Sequence, residues 1–126
     1  MNVLVDSSVW VRHFKQRNDQ LVTLLQNGVV VCHPYVVMEI ACSTPPNRRA
    51  IIDMLGELES VTLATTGELL AMLEHHRLYG RGCGLVDLSL IASVFLTDKA
   101  LLRTFDKLLA QVAKELNKAY CPQLQS

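Results

Sequence analysis

Met1-Asn2-Val3-Leu4-Val5-Asp6-Ser7-Ser8-Val9-Trp10 opens the chain, and its pattern changes period halfway along. Val3 to Val5 is a short apolar run without helical spacing, Asp6, Ser7 and Ser8 are strong helix-capping residues, and Val9, Trp10, His13 and Phe14 then recur at helical intervals. The stretch predicts a buried strand that delivers Asp6 to a strand-to-helix turn. The alternation continues: a helix over Asp19 to Gln26 stopped by Asn27-Gly28, a buried strand over Val29 to Cys32, a helix begun by Pro34 and carrying Tyr35 to Cys42, and, after Thr44-Pro45-Pro46-Asn47, a helix from Arg48 to Leu58. Farther on, the pattern predicts a strand over Val61 to Ala64, a Thr-capped helix over Leu69 to Leu78, and the loop Gly80-Arg81-Gly82-Cys83-Gly84. A helix from Leu85 to Leu96 is apolar nearly all round, a strand covers Ala100 to Thr104, and a last helix runs from Lys107 to Lys118, with Tyr120-Cys121 as a possible edge strand. Strands separated by helices need crossover connections, so the fold class is α/β with a mainly parallel sheet covered on both faces.

With 126 residues, half of them hydrophobic, the chain reads as one domain over 1–126. Twelve basic and twelve acidic residues balance at zero net charge, so a nucleic-acid partner has to be held by local basic patches. No apolar run suits a membrane span and the start lacks a basic leader, so a cytoplasmic location is expected. Cys32, Cys42, Cys83 and Cys121 are scattered and read as reduced thiols; zinc at Cys32, His33 and Cys42 would lack a second close ligand pair.

Four acids stand at informative places. Asp6 follows the first strand, Asp106 follows the last, and Asp87 lies in the first turn of the apolar helix. Each has an ordinary role as a helix cap or a dipole complement. Glu39 differs, because it interrupts the apolar stretch Tyr35-Val36-Val37-Met38 and Ile40-Ala41-Cys42, which points to a partly buried carboxylate. In parallel sheets ligands bind beyond the carboxyl ends of the strands, where Asp6 and Asp106 are expected. Carboxylates about 4 Å apart repel by roughly 4 kcal/mol at an effective dielectric of 20, a penalty that a hard divalent ion such as Mg²⁺ or Mn²⁺ removes.

The order and context of these acids resemble the PIN-domain family, in particular the VapC-type toxin ribonucleases of VapBC toxin–antitoxin modules. The resemblance is carried by VLVDSSVW at 3–10, Glu39 within VVMEIACS, Asp87 within GLVDLSLIAS, and Thr104-Phe105-Asp106, and it runs from about residue 2 to residue 121. It implies a three-layer α/β/α sandwich and endoribonuclease activity. Asp6, Glu39, Asp87 and Asp106 would bind Mg²⁺ or Mn²⁺ and carry catalysis, with Ser8 and Thr104 as hydroxyl neighbours facing substrate. It also implies hydrolysis to a 3′-hydroxyl and a 5′-phosphate, a cognate VapB-type antitoxin as partner, and a homodimer. Ser7 stands where these toxins often carry Thr, and Lys107-Leu108-Leu109 where many relatives have a further acid with an aromatic, so the number of metal ions stays open.

Arg12 and Arg81 are the foremost candidates for contact with RNA phosphates, with Lys15, Arg17, Arg48, Arg49 and Arg77 as further basic positions. The glycine loop lacks the Lys-Ser/Thr ending of a phosphate-binding P-loop. A phosphatase of the haloacid-dehalogenase type wants a second Asp where Ser8 stands. The non-enzymatic alternative is a catalytically silent PIN-like domain that binds RNA or docks a protein.

Overall fold

The computed structural model describes residues 1–122; residues 123–126, included in the domain on sequence grounds, lie outside the described residues. The first apolar run forms β1 (Asn2–Val5), and Asp6 caps α1 (Ser7–Lys15) by accepting the Ser7 amide. There follow α2 (Asp19–Gln26), β2 (Val30–Cys32), α3 (Pro34–Ala41), α4 (Arg48–Glu57), β3 (Glu59–Ser60), α5 (Thr66–His75), α6 (Leu85–Leu96), β4 (Ala100–Arg103) and α7 (Lys107–Glu115). Polar side chains start most helices: Asn18 accepts from the Leu21 amide, His33 from Tyr35, and Asp106 from Leu109, while Thr65 and Glu68 form a reciprocal capping box.

All strand pairs are parallel, in the order β3-β2-β1-β4. From β1 the chain steps outward to β2 and β3, then returns across the sheet to β4 on the other side of β1. Right-handed crossovers put α1 to α4 on one face and α5 and α6 on the other. Packing agrees: α1 lies on α3 and α3 on α4, whereas α5 lies on α6 and α6 against β4. The reversal leaves a crevice at the carboxyl ends of β1 and β4. Residues Leu88 to Val94 of α6 are all buried, as its unbroken apolar sequence foretells.

Three expectations are corrected. The third strand is Glu59–Ser60 rather than Val61 to Ala64, because β2 ends at Cys32 where His33-Pro34 turns into α3; beyond the Val61 amide, which donates to Cys32 O at 3.1 Å, no partner backbone remains. The fifth helix starts at Thr66 and ends at His75, since the capping box acts one turn earlier than the apolar residues suggest. Tyr120-Cys121 forms no strand. The chain makes one parallel bridge, Leu102 to Ala119, in which the Tyr120 amide donates to Leu102 O at 2.9 Å, and the next donor in that ladder would be Pro122, which has no N–H.

Among the described residues no helix is long and apolar enough to cross a membrane. Three helices end in the same left-handed turn, with Gly28 (φ 69°), Arg77 (φ 53°) and Asn117 (φ 59°) just past the last turn. In each, the following amide returns to a carbonyl five residues back, as Val29 N to Leu24 O, Leu78 N to Leu73 O and Lys118 N to Ala113 O. This conformation costs an L-residue roughly 1–2 kcal/mol, partly offset in glycine by its unfolded-state entropy. Arg77→Gly is therefore expected to stabilise the protein by about 0.5–1 kcal/mol, and Gly28→Ala, where an added Cβ meets nothing within 4 Å, to destabilise it by about 1 kcal/mol. Thermal melts of the two variants check both signs.

Candidate active site at the carboxyl edge of the sheet

The site grows from the β1–β4 register, in which Val5 pairs with Arg103. The next residues, Asp6 and Thr104, therefore leave the sheet side by side, and the Asp6 amide donates to Arg103 O at 2.9 Å. The Asp6 side chain is buried, 7% exposed, and fully engaged. Its Oδ1 accepts the Ser7 amide at 2.8 Å, and its Oδ2 accepts the hydroxyls of Ser8 at 2.8 Å and Thr104 at 2.7 Å. Ser8 Oγ in turn accepts the Phe105 amide at 3.0 Å, and Thr104 Oγ1 accepts the Asp106 amide at 3.0 Å. The two hydroxyls thus tie the end of β4 to the start of α1. Both were expected to face substrate; here each is donated to Asp6.

Glu39 reaches the same centre through Ser7, whose hydroxyl donates to Glu39 Oε1 at 2.8 Å. It is exposed, which corrects the expectation of partial burial. Its apolar neighbours misled because they are not all core: Val36 and Ile40 are buried, but Tyr35 is 39% and Met38 58% exposed. Asp106 is exposed as well, capping α7 through the Leu109 amide at 2.8 Å.

Asp87 is half-buried at the start of α6, with only a long contact of 3.4 Å from the Gly84 amide. Burial lifts its carboxyl above the ordinary 3.8; the Gly84 amide opposes, and the charges of Asp106 and Asp6 lift it further. Asp87 therefore senses the charges of both Asp106 and Asp6 across the crevice. Cys83 belongs to the same field: burial raises its thiol first, and Asp87 and Asp106 add to the effect while Arg81 opposes it.

Among the described residues no group of three or more His, Cys, Asp or Glu side chains closes into a metal cage. The donor set nonetheless fits a hard divalent ion. It is all oxygen, its members repel one another, and it is open, as Mg²⁺ requires when it keeps several waters and takes one or two carboxylates.

Most arginines are engaged elsewhere. Arg81 makes a two-pronged pair with Glu115 at 2.7 and 3.1 Å, which holds the Glu115 carboxyl down at about 2 and fixes the glycine loop to α7. Gly82 in that loop has φ 95°, and a Cβ there would meet Leu108 of α7 at 3.1 Å. Arg17 pairs with Asp19, Arg49 with Asp53, and Arg48 donates to the carbonyls of Ala41 and Ser43 at the end of α3. Arg12 lies over the Phe105 ring, 4.3 Å from its centre, and Arg103 lies over the same ring at 4.9 Å. The sequence reading missed Arg103, Phe105 and the Ser7 link. The signal for the first two was the alternation of extended residues, which sends 103 and 105 to one side and Thr104 to the other.

Comparison with known proteins agrees with this arrangement. The PIN-domain family model matches residues 3–115. Two curated relatives, both Ribonuclease VapC32, from Mycobacterium tuberculosis strains CDC 1551 / Oshkosh and ATCC 25618 / H37Rv, are each 36% identical over 122 residues, covering 97% of this chain and 98% of theirs. The parallel sheet, the acidic crevice between β1 and β4 and this full-length similarity together place the chain in the PIN-domain family, on its VapC-type branch.

Proposed function

We propose that the chain, one domain over 1–126, is a Mg²⁺- or Mn²⁺-dependent endoribonuclease and the toxin of a type II toxin–antitoxin module. The observation that carries this reading is the hydroxyl-locked Asp6 at the switch point of the sheet, with Glu39 linked through Ser7 and with Asp87 within electrostatic reach of both Asp6 and Asp106. Asp6, Glu39, Asp87 and Asp106 would hold the ion directly or through water. When bound, the ion supplies a water acidic enough to attack a phosphodiester at neutral pH and offsets the charge that gathers on phosphorus. Ser8 and Thr104 fix the Asp6 carboxylate so that it needs no reorganisation during the reaction. Arg81 acts at a distance, through Glu115, by holding the loop before α6.

The exposed Val11, Tyr35 and Met38 lie on α1 and α3 beside Glu39, and a groove of about 280 Å³ runs between Val11, Phe14, Pro45 and Pro46. This apolar face suits the cognate VapB-type antitoxin. The apolar hollow between α5 and α6, with Phe95 and Leu96 exposed at its rim, suits a second copy in a homodimer.

Asp6→Asn and Asp87→Asn, which keep shape and most hydrogen bonds, are expected to reduce Mn²⁺-dependent cleavage of RNA by more than about a hundredfold, the upper range for removal of an outer-shell partner alone. Asp6→Ala is a poorer probe, since it strips the α1 cap and leaves the Ser8 and Thr104 hydroxyls without their acceptor. Wild-type protein that neither cleaves RNA nor takes up Mn²⁺ in calorimetry would be the silent docking module instead.

Asp87 also predicts a pH dependence without metal. Because its folded-state value is raised, the native state holds the proton longer than the unfolded chain, and stability falls as pH rises from about 3.8 through that raised value. Asp87→Asn lacks this loss. Its melting temperature is expected to gain on the wild type as pH rises to neutrality and the gain to vanish in acid, while added Mn²⁺ raises the melting temperature of the wild type alone.

Expression in a bacterial host is expected to arrest growth, with relief when the neighbouring antitoxin gene is co-expressed. Unimpaired growth with soluble, cleavage-competent protein would remove the toxin role while leaving the nuclease.

A further inference from the structure

We propose that Arg12 and Arg103, held over Phe105, form a binding site for backbone phosphates of the RNA strand beside the acidic crevice; this rests on the ribonuclease reading above. Among the described residues neither guanidinium meets a carboxylate within ion-pair distance, whereas Arg17, Arg49 and Arg81 each do. Arg103 is half-buried, and its hydrogen-bonding partner is the neutral Gln20 at 3.3 Å. The two guanidinium carbons lie 4.3 and 4.9 Å from one ring centre, so two like charges are held less than about 10 Å apart. An aromatic ring stabilises each cation, but it does nothing about their mutual repulsion. Backbone phosphates lying against the outer N–H edges of the two guanidinium groups do.

The chemistry selects phosphate over base. With guanidinium groups already over the ring, Phe105 offers little surface to a nucleobase, while the N–H edges of two planar forks match phosphate oxygens. The placement selects RNA bound for cleavage. The Phe105 amide donates to Ser8 Oγ, Ser8 donates to Asp6, and Arg103 O accepts the Asp6 amide, so the two cations and the acidic centre belong to one hydrogen-bonded body. A strand held at Arg12 and Arg103 is thereby held in register with Asp6. With zero net charge on the chain, such a local site must supply the electrostatic attraction.

The test uses the Asp6→Asn protein, in which cleavage is expected to be too slow to consume the probe, and a fluorescein-labelled single-stranded oligoribonucleotide of mixed sequence, with anisotropy measured across a salt series. Arg12→Gln and Arg103→Met, the latter keeping the buried stem, are each expected to weaken binding about tenfold and to flatten the slope of log affinity against log salt by about 0.7, the value for one lost phosphate contact on a single strand. Phe105→Leu is expected to weaken binding and leave the slope near that of the parent, since both charges remain. Mn²⁺-induced thermal shifts of the same substitutions in the wild-type background should match the wild type, which separates a lost RNA contact from a damaged centre. Affinity and slope unchanged in both arginine variants, where the wild type cleaves RNA with Mn²⁺, would overturn the phosphate site and spare the ribonuclease reading. Absence of cleavage by the wild type with Mn²⁺, together with absence of RNA binding, would overturn both.

Discussion

The hydrogen bonds from Ser8 and Thr104 to the Asp6 carboxylate are the contacts on which the site depends. A buried carboxylate is tolerable only when its oxygens are satisfied, and short hydroxyl-to-carboxylate bonds are among the stronger ways of doing so. They exist because β1 and β4 pair in parallel with Val5 opposite Arg103, which brings Asp6 and Thr104 out of the sheet together. A slip of one residue would send Thr104 to the opposite face and leave Asp6 buried with one donor fewer. The same register that fills the core with Val3, Leu4, Val5 and Leu102 therefore also sets the geometry of the crevice.

The four acids are consequently not equivalent. Asp6 is anchored, with every short contact made by the fold itself. Asp87 is half-buried and weakly contacted, and its carboxyl is raised first by burial and then by the charges of Asp106 and Asp6. Glu39 and Asp106 are exposed and tied at one point each, through Ser7 and through the cap of α7. On the reading proposed above, a fixed carboxylate beside exposed ones would suit an ion that demands regular geometry, since the exposed carboxylates could adapt while the anchored one sets the position.

The parallel sheet was legible from Val3 to Val5, Val29 to Cys32 and Ala100 to Thr104, because buried strands bounded by capping residues leave a period that helices cannot mimic. The helices at Asp19–Gln26 and Leu85–Leu96 were legible to the residue, each bounded by unambiguous stop or start chemistry. The third strand was not. Val61 to Leu63 has the better composition, yet pairing was decided by how soon β2 ends, a tertiary fact that no local propensity carries. Glu39 failed for a related reason. Apolar neighbours imply burial only where they face the core, and Tyr35 and Met38 face outward. Among the basic residues, position along the chain said nothing of which carboxylates lay near, so Arg81 read as available when Glu115 already held it.

That last point bears on how an uncharged protein can bind a polyanion. Carboxylates at the crevice would repel a phosphodiester until a cation lay among them, so on the reading proposed above the groups that first hold RNA would stand outside the centre of that field. Ion pairs engage Arg17, Arg49 and Arg81, and Arg48 spends its donors on the end of α3. Arg12 and Arg103 keep their charge beside the crevice because Phe105 stabilises them without neutralising them, as a carboxylate would. Zero net charge is therefore no bar to a polyanion: what counts is that two cations without a carboxylate partner stand on the hydrogen-bonded body that also carries Asp6.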